Sequence, residues 1–341
     1  MARAEFESQE AVSAVIPDNS AVPVAWGYFQ DDPSKSFYMT RFRNLRARPP
    51  PLPQFLAVVK KLHQTSVSPT GKFGFHCTTY WGPPPLINDW TDSWEEYWSR
   101  QLRSDIAYAQ RRYGEDEELI TLVEEFIQKA VARLLRPLQT GGRTLKPSLC
   151  HGGLWDANVQ IDVDTKQIIL LDPSAFYGHG EALANFKING TPVDFQAIGE
   201  PRYALQMSVV DLYKAEVGAS EPQDDFYDRH YLYGIMYKYL TTCVIVSAKD
   251  KMRLLLQKFP DGFEGFKDPN TVYQKAEEHS ESTVGSPKSN IVETAALGQS
   301  SEIRLHDDQE VTTVISLEPP LEEENQVVTL RTVCLAEVAE K

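Results

Sequence analysis

The chain has 341 residues, 42% apolar and 24% charged, the balance of a globular protein with enough length for a substantial core. Its formal net charge of −14 argues against nucleic acid or an anionic membrane as a general partner, because like charges repel. Four scattered cysteines (Cys77, Cys150, Cys243, Cys334) form no C-x-x-C pair, which suits neither a zinc site nor a disulfide framework. With a polar start and no apolar run of roughly 18 residues, the default expectation is a cytoplasmic protein.

Phe6, Val12 and Val15 among polar residues predict a short helix from Glu5, stopped before Pro17. Val22–Phe29 and Ser36–Phe42 read as strands joined by a turn-rich loop, Gln30–Lys35. Arg48–Pro53 is a proline-stiffened connector, after which Phe55, Val58, Val59 and Leu62 recur at helical spacing. Two amphipathic helices follow, Asp92–Tyr113 and Glu115–Leu135, broken at Gly114, and their Trp and Leu stripes read as core. Ile168–Asp172 reads as a short buried strand ending in a carboxylate, and Phe226–Val246 and Ala248–Phe259 as helices. A small β-containing piece thus precedes a mostly helical bulk, an α+β order.

Beyond Asp268 the composition shifts. Residues 271–341 carry fourteen acidic and five basic side chains and no aromatic after Tyr273. So much charge with so little apolar surface does not offset ordering entropy, and a largely disordered acidic tail is expected. Val311–Leu317 and Val327–Val333 have strand propensity and could pair as a hairpin.

The chemistry concentrates in Pro147–Asn158 and Ile168–Glu181. Phosphoryl transfer needs a carboxylate to orient and deprotonate the attacking hydroxyl, and oxygen ligands that hold Mg²⁺ on the nucleotide phosphates. Asn158 and Asp172, separated by a turn and a strand, could bring two oxygens to one hard cation.

These segments resemble the fructosamine and ketosamine (protein-ribulosamine) 3-kinase family, relatives of the aminoglycoside phosphotransferases. The family motif H-G-D-L-W-x-x-N, then D-P-[AS]-x-F-Y-G-H-x-E, is matched at His151, Gly152, Leu154, Trp155, Asn158, Asp172, Pro173, Phe176, Tyr177, Gly178, His179 and Glu181. Stretches at Pro69–His76, Thr91–Glu96 and Leu134–Arg143 resemble fungal members, so the likeness runs from about Glu5 to Gly265. It implies a protein-kinase-like fold: a partial N-terminal lobe over 1–47, a helical C-terminal lobe over 48–268, and the tail over 269–341. It further implies ATP and Mg²⁺ as cofactors and a glycated protein or small ketosamine as substrate. Asn158 and Asp172 would bind the metal, and His151 would brace the catalytic loop. Tyr177, His179 and Glu181 would lie on the substrate side, and Glu5 would be the helix glutamate that partners an ATP-binding lysine.

The chain departs from the family pattern at three places. Gly153 occupies the position of the catalytic Asp, and Asp156 is a poor substitute three residues on. No Gly-rich strand pair or strand lysine precedes Glu5, which predicts a truncated N-terminal lobe and weak nucleotide binding. Arg41 stands where fungal relatives tend to carry an acid, on the adenine side. Two functions are therefore weighed: a ketosamine 3-kinase impaired in transfer, and a pseudokinase that binds or scaffolds, with the tail as a protein-interaction segment.

Overall fold

The structure is a computed structural model that describes residues 1–46, 50–80, 84–154, 158–185, 205–235, 242–268 and 328–333. The chain opens with helix α1 (Ala2–Val15), which leads into the hairpin of β1 (Pro23–Tyr28) and β2 (Ser36–Arg41). A two-residue strand β3 (Leu45–Arg46) precedes helix α2 (Leu52–Thr65). Pro53 lies within the first turn of α2, where a missing N–H costs no hydrogen bond, so the connector's last proline starts the helix rather than excluding it.

Helix α3 (Trp94–Tyr113) is set by a serine N-cap. The Ser93 hydroxyl accepts from the Glu96 N–H, and Gly114 at φ +98° ends the helix. Asp116 caps α4 (Glu117–Phe126) through the Leu119 N–H; the chain then widens into a π turn over Ile127–Val131 before α5 (Ala132–Leu135). Trp94, Trp98, Phe126, Val131, Leu134 and Leu135 are fully buried, so the Trp and Leu stripes are core as expected.

Strands β4 (Ser148–Cys150), β5 (Val159–Asp162), β6 (Ile168–Leu170) and β7 (Phe176–Gly178) follow, paired as β3–β5–β6 and β4–β7. Helices α6 (Leu205–Val217), α7 (Phe226–Tyr233) and α8 (Thr242–Lys258) complete the helical part. Among the described residues, no helix is long and apolar enough to cross a membrane.

Two expectations are corrected. The break expected near Ser247 does not occur: α8 runs unbroken, because no Gly or Pro interrupts Thr242–Lys258. Within the expected acidic tail, Val328–Val333 forms strand β8, antiparallel to β2. The outer edge of β2 offers unpaired backbone groups, and the β-branched residues of this segment fit a pleated ladder. Residues 311–317, like the rest of 269–327, lie outside the described residues.

Candidate functional site

The antiparallel β4–β7 pair, with Leu149 opposite Tyr177 and Cys150 opposite Phe176, fixes the two loops that carry the sequence motif. His151 begins the first loop one residue past β4. Asp172 begins the second, which runs into β7. Backbone hydrogen bonds join them: the Ser174 N–H donates to the His151 carbonyl (2.9 Å), and the Leu171 N–H donates to the Asn158 carbonyl (2.9 Å).

Asn158 ties the loops a second time through its side chain. Its Nδ2 donates to the Gly153 carbonyl at 2.9 Å and to the Asp172 carbonyl at 3.4 Å, which orients the amide and leaves Oδ1 as an acceptor. Asn158 is 5% exposed, whereas the Asp172 carboxylate projects into solvent. Asp172 sits at φ +53°, a left-handed conformation that costs a non-glycine residue about 1–3 kcal/mol and marks functional turns. His151 is fully buried, and its Nδ1 accepts from the Gly153 N–H at 3.3 Å, which makes Nε2 the protonated nitrogen.

Gly153 is enclosed. A Cβ at this position would lie 2.9 Å from the Asp172 carbonyl oxygen and 3.5 Å from Asn158 Nδ2. A side chain there would have to displace the Asp172 carbonyl. Asp156 lies outside the described residues.

On the other side of the second loop stands α1. Ser8 Oγ accepts from the Ala175 N–H at 3.1 Å, and Thr79 Oγ1 donates to the Ala175 carbonyl at 3.2 Å. Glu5 lies one turn before Ser8, and its Oε1 is closed off from solvent. Nothing in the sequence pattern pointed to Ser8, because its partner is 167 residues away.

Tyr177, His179 and Glu181 leave β7 toward the core. Tyr177 is 8% exposed and lies near Phe75 and Trp90, and burial raises its hydroxyl above the ordinary range. Tyr233 Oη accepts from Trp94 Nε1 (2.9 Å) and donates to His179 Nδ1 (2.8 Å). The His179 Nε2–H then meets Ser220 Oγ at 2.9 Å. The Glu181 carboxylate accepts from Arg229 Nε (2.8 Å) and Nη2 (3.1 Å) and from the Ser220 N–H (2.6 Å). The hydrogen-bonding groups of His179 and Glu181 are thus engaged inside the protein, where the resemblance had implied substrate contacts. Arg229, Ser220 and Tyr233 were missed by the sequence reading, since they come from a distant helix and loop outside the motif.

One ladder fixes two loops and brings an oriented amide beside an exposed aspartate in a left-handed turn. The sequence profile described as Fructosamine kinase matches residues 1–250, so the chain belongs to the fructosamine kinase family. Among relatives, the chloroplastic protein-ribulosamine 3-kinase of Oryza sativa subsp. indica is 32% identical over 36% of this chain and 33% of its own length. The ketosamine-3-kinase of Mus musculus is 34% identical over 32% of this chain and 33% of its own length. The chain therefore spans about a third of the length of these relatives. Putative fructosamine-3-kinase structures from Haemophilus somnus (TM-score 0.52, 19% identity, 75% of this chain and 79% of that one) and Thermobifida fusca (TM-score 0.51, 21% identity, 75% and 80%) share the fold. The expected protein-kinase-like fold and family assignment hold.

The site generates two expectations. Gly153→Ala forces the Asp172 carbonyl to move and lowers stability by about 1–3 kcal/mol, the cost of overpacking, read by denaturant unfolding. An unchanged midpoint would show that the loop is open there. Burial, the first cause in each case, pushes His63 down to about 3 and both His179 and His230 to about 4 from the ordinary 6.5. The unfolded chain binds these protons as pH falls through 6.5, while the folded chain resists them until about 4. Stability is therefore lost progressively as pH drops from 6.5 to 4, and thermal melts across that window should show a falling midpoint. A flat profile would contradict the burial of these rings.

Proposed function

We propose that this chain keeps the Mg·ATP and ketosamine sites of its family but transfers the phosphoryl group slowly. The observation that carries the reading is Gly153, which stands between His151 and Asn158 with no room for a side chain against Asp172. The family reaction is ATP-dependent phosphorylation of the sugar 3-hydroxyl of a fructosamine or ribulosamine on a protein amine. The sugar's 3-hydroxyl, by this reading, meets no carboxylate that can orient it or take its proton.

The donor set suits Mg²⁺. That ion takes one or two protein oxygens and completes its shell with water and phosphate oxygens, so Asn158 Oδ1 and the Asp172 carboxylate suffice. Among the described residues no cluster of three His, Cys, Asp or Glu side chains is present, and none is required for such a site. The ion would neutralise charge on the transferring phosphate. Asn158 fixes the spacing of the loops, His151 holds the Gly153 N–H, and the left-handed turn at Asp172 presents the carboxylate to solvent. In the same reading His179 and Glu181 brace the segment after β7, with Arg229 as their counter-charge, and do not touch substrate. A non-catalytic binding module is the second reading, and the close approach of the Asp172 carbonyl to Gly153 favours it as well.

An ATP-dependent phosphorylation assay on fructosyl-lysine separates the outcomes. The unmodified chain is expected to turn over about 10²-fold or more below its Gly153→Asp variant, the usual worth of a general base. That variant must open the loop, so its melting temperature falls as its turnover rises. Robust turnover by the unmodified chain would overturn the impairment, and no activity in either protein would favour the binding module.

A further inference from the structure

Asp172 holds a left-handed conformation, which a non-glycine residue keeps only where the surrounding structure over-determines it. The stretch 170–175 that carries it is gripped at both ends by one element, α1 together with the turn that follows it. At the far end, Ser8 Oγ accepts from the Ala175 N–H at 3.1 Å, and Thr79 Oγ1 donates to the carbonyl of the same residue. At the near end, the chain leaving α1 runs beside β6. Ser20 forms a parallel bridge with Leu170, and the Ala21 N–H donates to the Leu170 carbonyl (3.4 Å). Asn19 Nδ2 donates to the Ile168 carbonyl (2.9 Å).

A polar seam ties that turn back to α1. Gln9 Nε2 donates to Ser20 Oγ, the Ser13 and Ser20 hydroxyls lie 2.6 Å apart, and Ser13 Oγ donates to the Ala21 carbonyl at 3.1 Å. A hydroxyl has one proton to give. The order that makes all three contacts hydrogen bonds therefore runs from Gln9 to Ser20, from Ser20 to Ser13, and from Ser13 to the Ala21 carbonyl. Ser8 and Ser20 are fully buried, and Gln9 is nearly so. Gln9 and Ser13 are four residues apart on α1 and so lie on one side of it, and Ser8 adjoins Gln9. Enclosed polar groups cost desolvation that an apolar seam would not, and once hydrogen-bonded they fix one arrangement of the segments they join.

We propose that Ser8, Gln9 and Ser13 are positioning residues for Asp172. α1 clamps the loop at Leu170 through the seam and at Ala175 through Ser8, and this two-point grip maintains the left-handed turn that presents the carboxylate. Both anchor points move with α1, so the orientation of that helix sets the position of the carboxylate. The effect expected on cation binding rests on the functional reading of Asp172 given above; the grip itself does not.

Peptide-resolved hydrogen exchange on the full chain tests the grip in Ser8→Ala, Gln9→Met and Ser13→Ala variants. Each should speed exchange of 168–177 several-fold while α3 exchanges as in the unmodified chain. A residue that served only general stability would speed both, and that result, or unchanged exchange at 168–177 in all three variants, would overturn the proposal. Ser13 is only half-buried, so Ser13→Ala removes little packing and keeps the test available should either of the others not fold. Titration of ATP at increasing Mg²⁺ supplies the second readout. The Mg²⁺ concentration for half-maximal ATP binding should rise several-fold in Ser8→Ala and Gln9→Met. If the unmodified chain binds no Mg·ATP, the functional reading fails while local loosening of 168–177 still supports the grip. In a chain that does bind Mg·ATP, local loosening with an unchanged Mg²⁺ requirement would overturn the link to Asp172.

Discussion

The Asn158 amide is the constraint on which the site depends. One NH₂ group reaches the carbonyls of Gly153 and Asp172, and so sets the separation of two loops that are 14 residues apart in the chain. Because the group is buried, releasing it would leave two carbonyls without their donor, at about 1–3 kcal/mol for each unsatisfied group. The β4–β7 ladder supplies the coarse alignment and the amide the fine one. The same closeness explains the glycine. With the Asp172 carbonyl drawn toward residue 153, a Cβ would meet it at 2.9 Å, so tight loop contact and a residue-153 carboxylate compete for one space.

Charge is arranged in two tiers around this centre. Inside, Glu181 is matched by Arg229, and His179 is held neutral between Tyr233 and Ser220, so the segment leaving β7 is rigid and shielded. Outside, Asp172 stands in water on a protein of net charge −14, an arrangement that repels a bare nucleotide. In the proposed function a divalent cation would reverse that sign locally and admit the nucleotide. α1 links the tiers, because its Ser8 Oγ accepts from the Ala175 N–H three residues past Asp172.

Much of this was legible in the sequence. Amphipathic spacing located α1, α2, α3 and α4, and turn residues located the β1–β2 hairpin, because those signals are local. The motif located His151, Asn158 and Asp172, since the short β5–β6 hairpin keeps Asn158 and Asp172 at a fixed spacing in sequence. Ser8, Ser220, Arg229 and Tyr233 were not legible, because each meets the site through tertiary packing that no local pattern encodes. His179 and Glu181 were placed by motif on the substrate side and lie in the interior, where a motif residue can be retained for the loop's shape. The pairing of strand β8 with β2, nearly 300 residues earlier in the chain, was not legible either. Strand propensity indicates that a segment will pair without indicating with which edge.

The central claim is that the cation side of the site persists where the base is gone. Equilibrium titration of ATP into the unmodified chain and an Asp172→Asn variant, with and without Mg²⁺, tests it most directly. The account predicts saturable binding that requires Mg²⁺ and is lost in Asp172→Asn without a change in melting temperature. Binding that is indifferent to Mg²⁺ and to Asp172, or no binding by the unmodified chain, would contradict it.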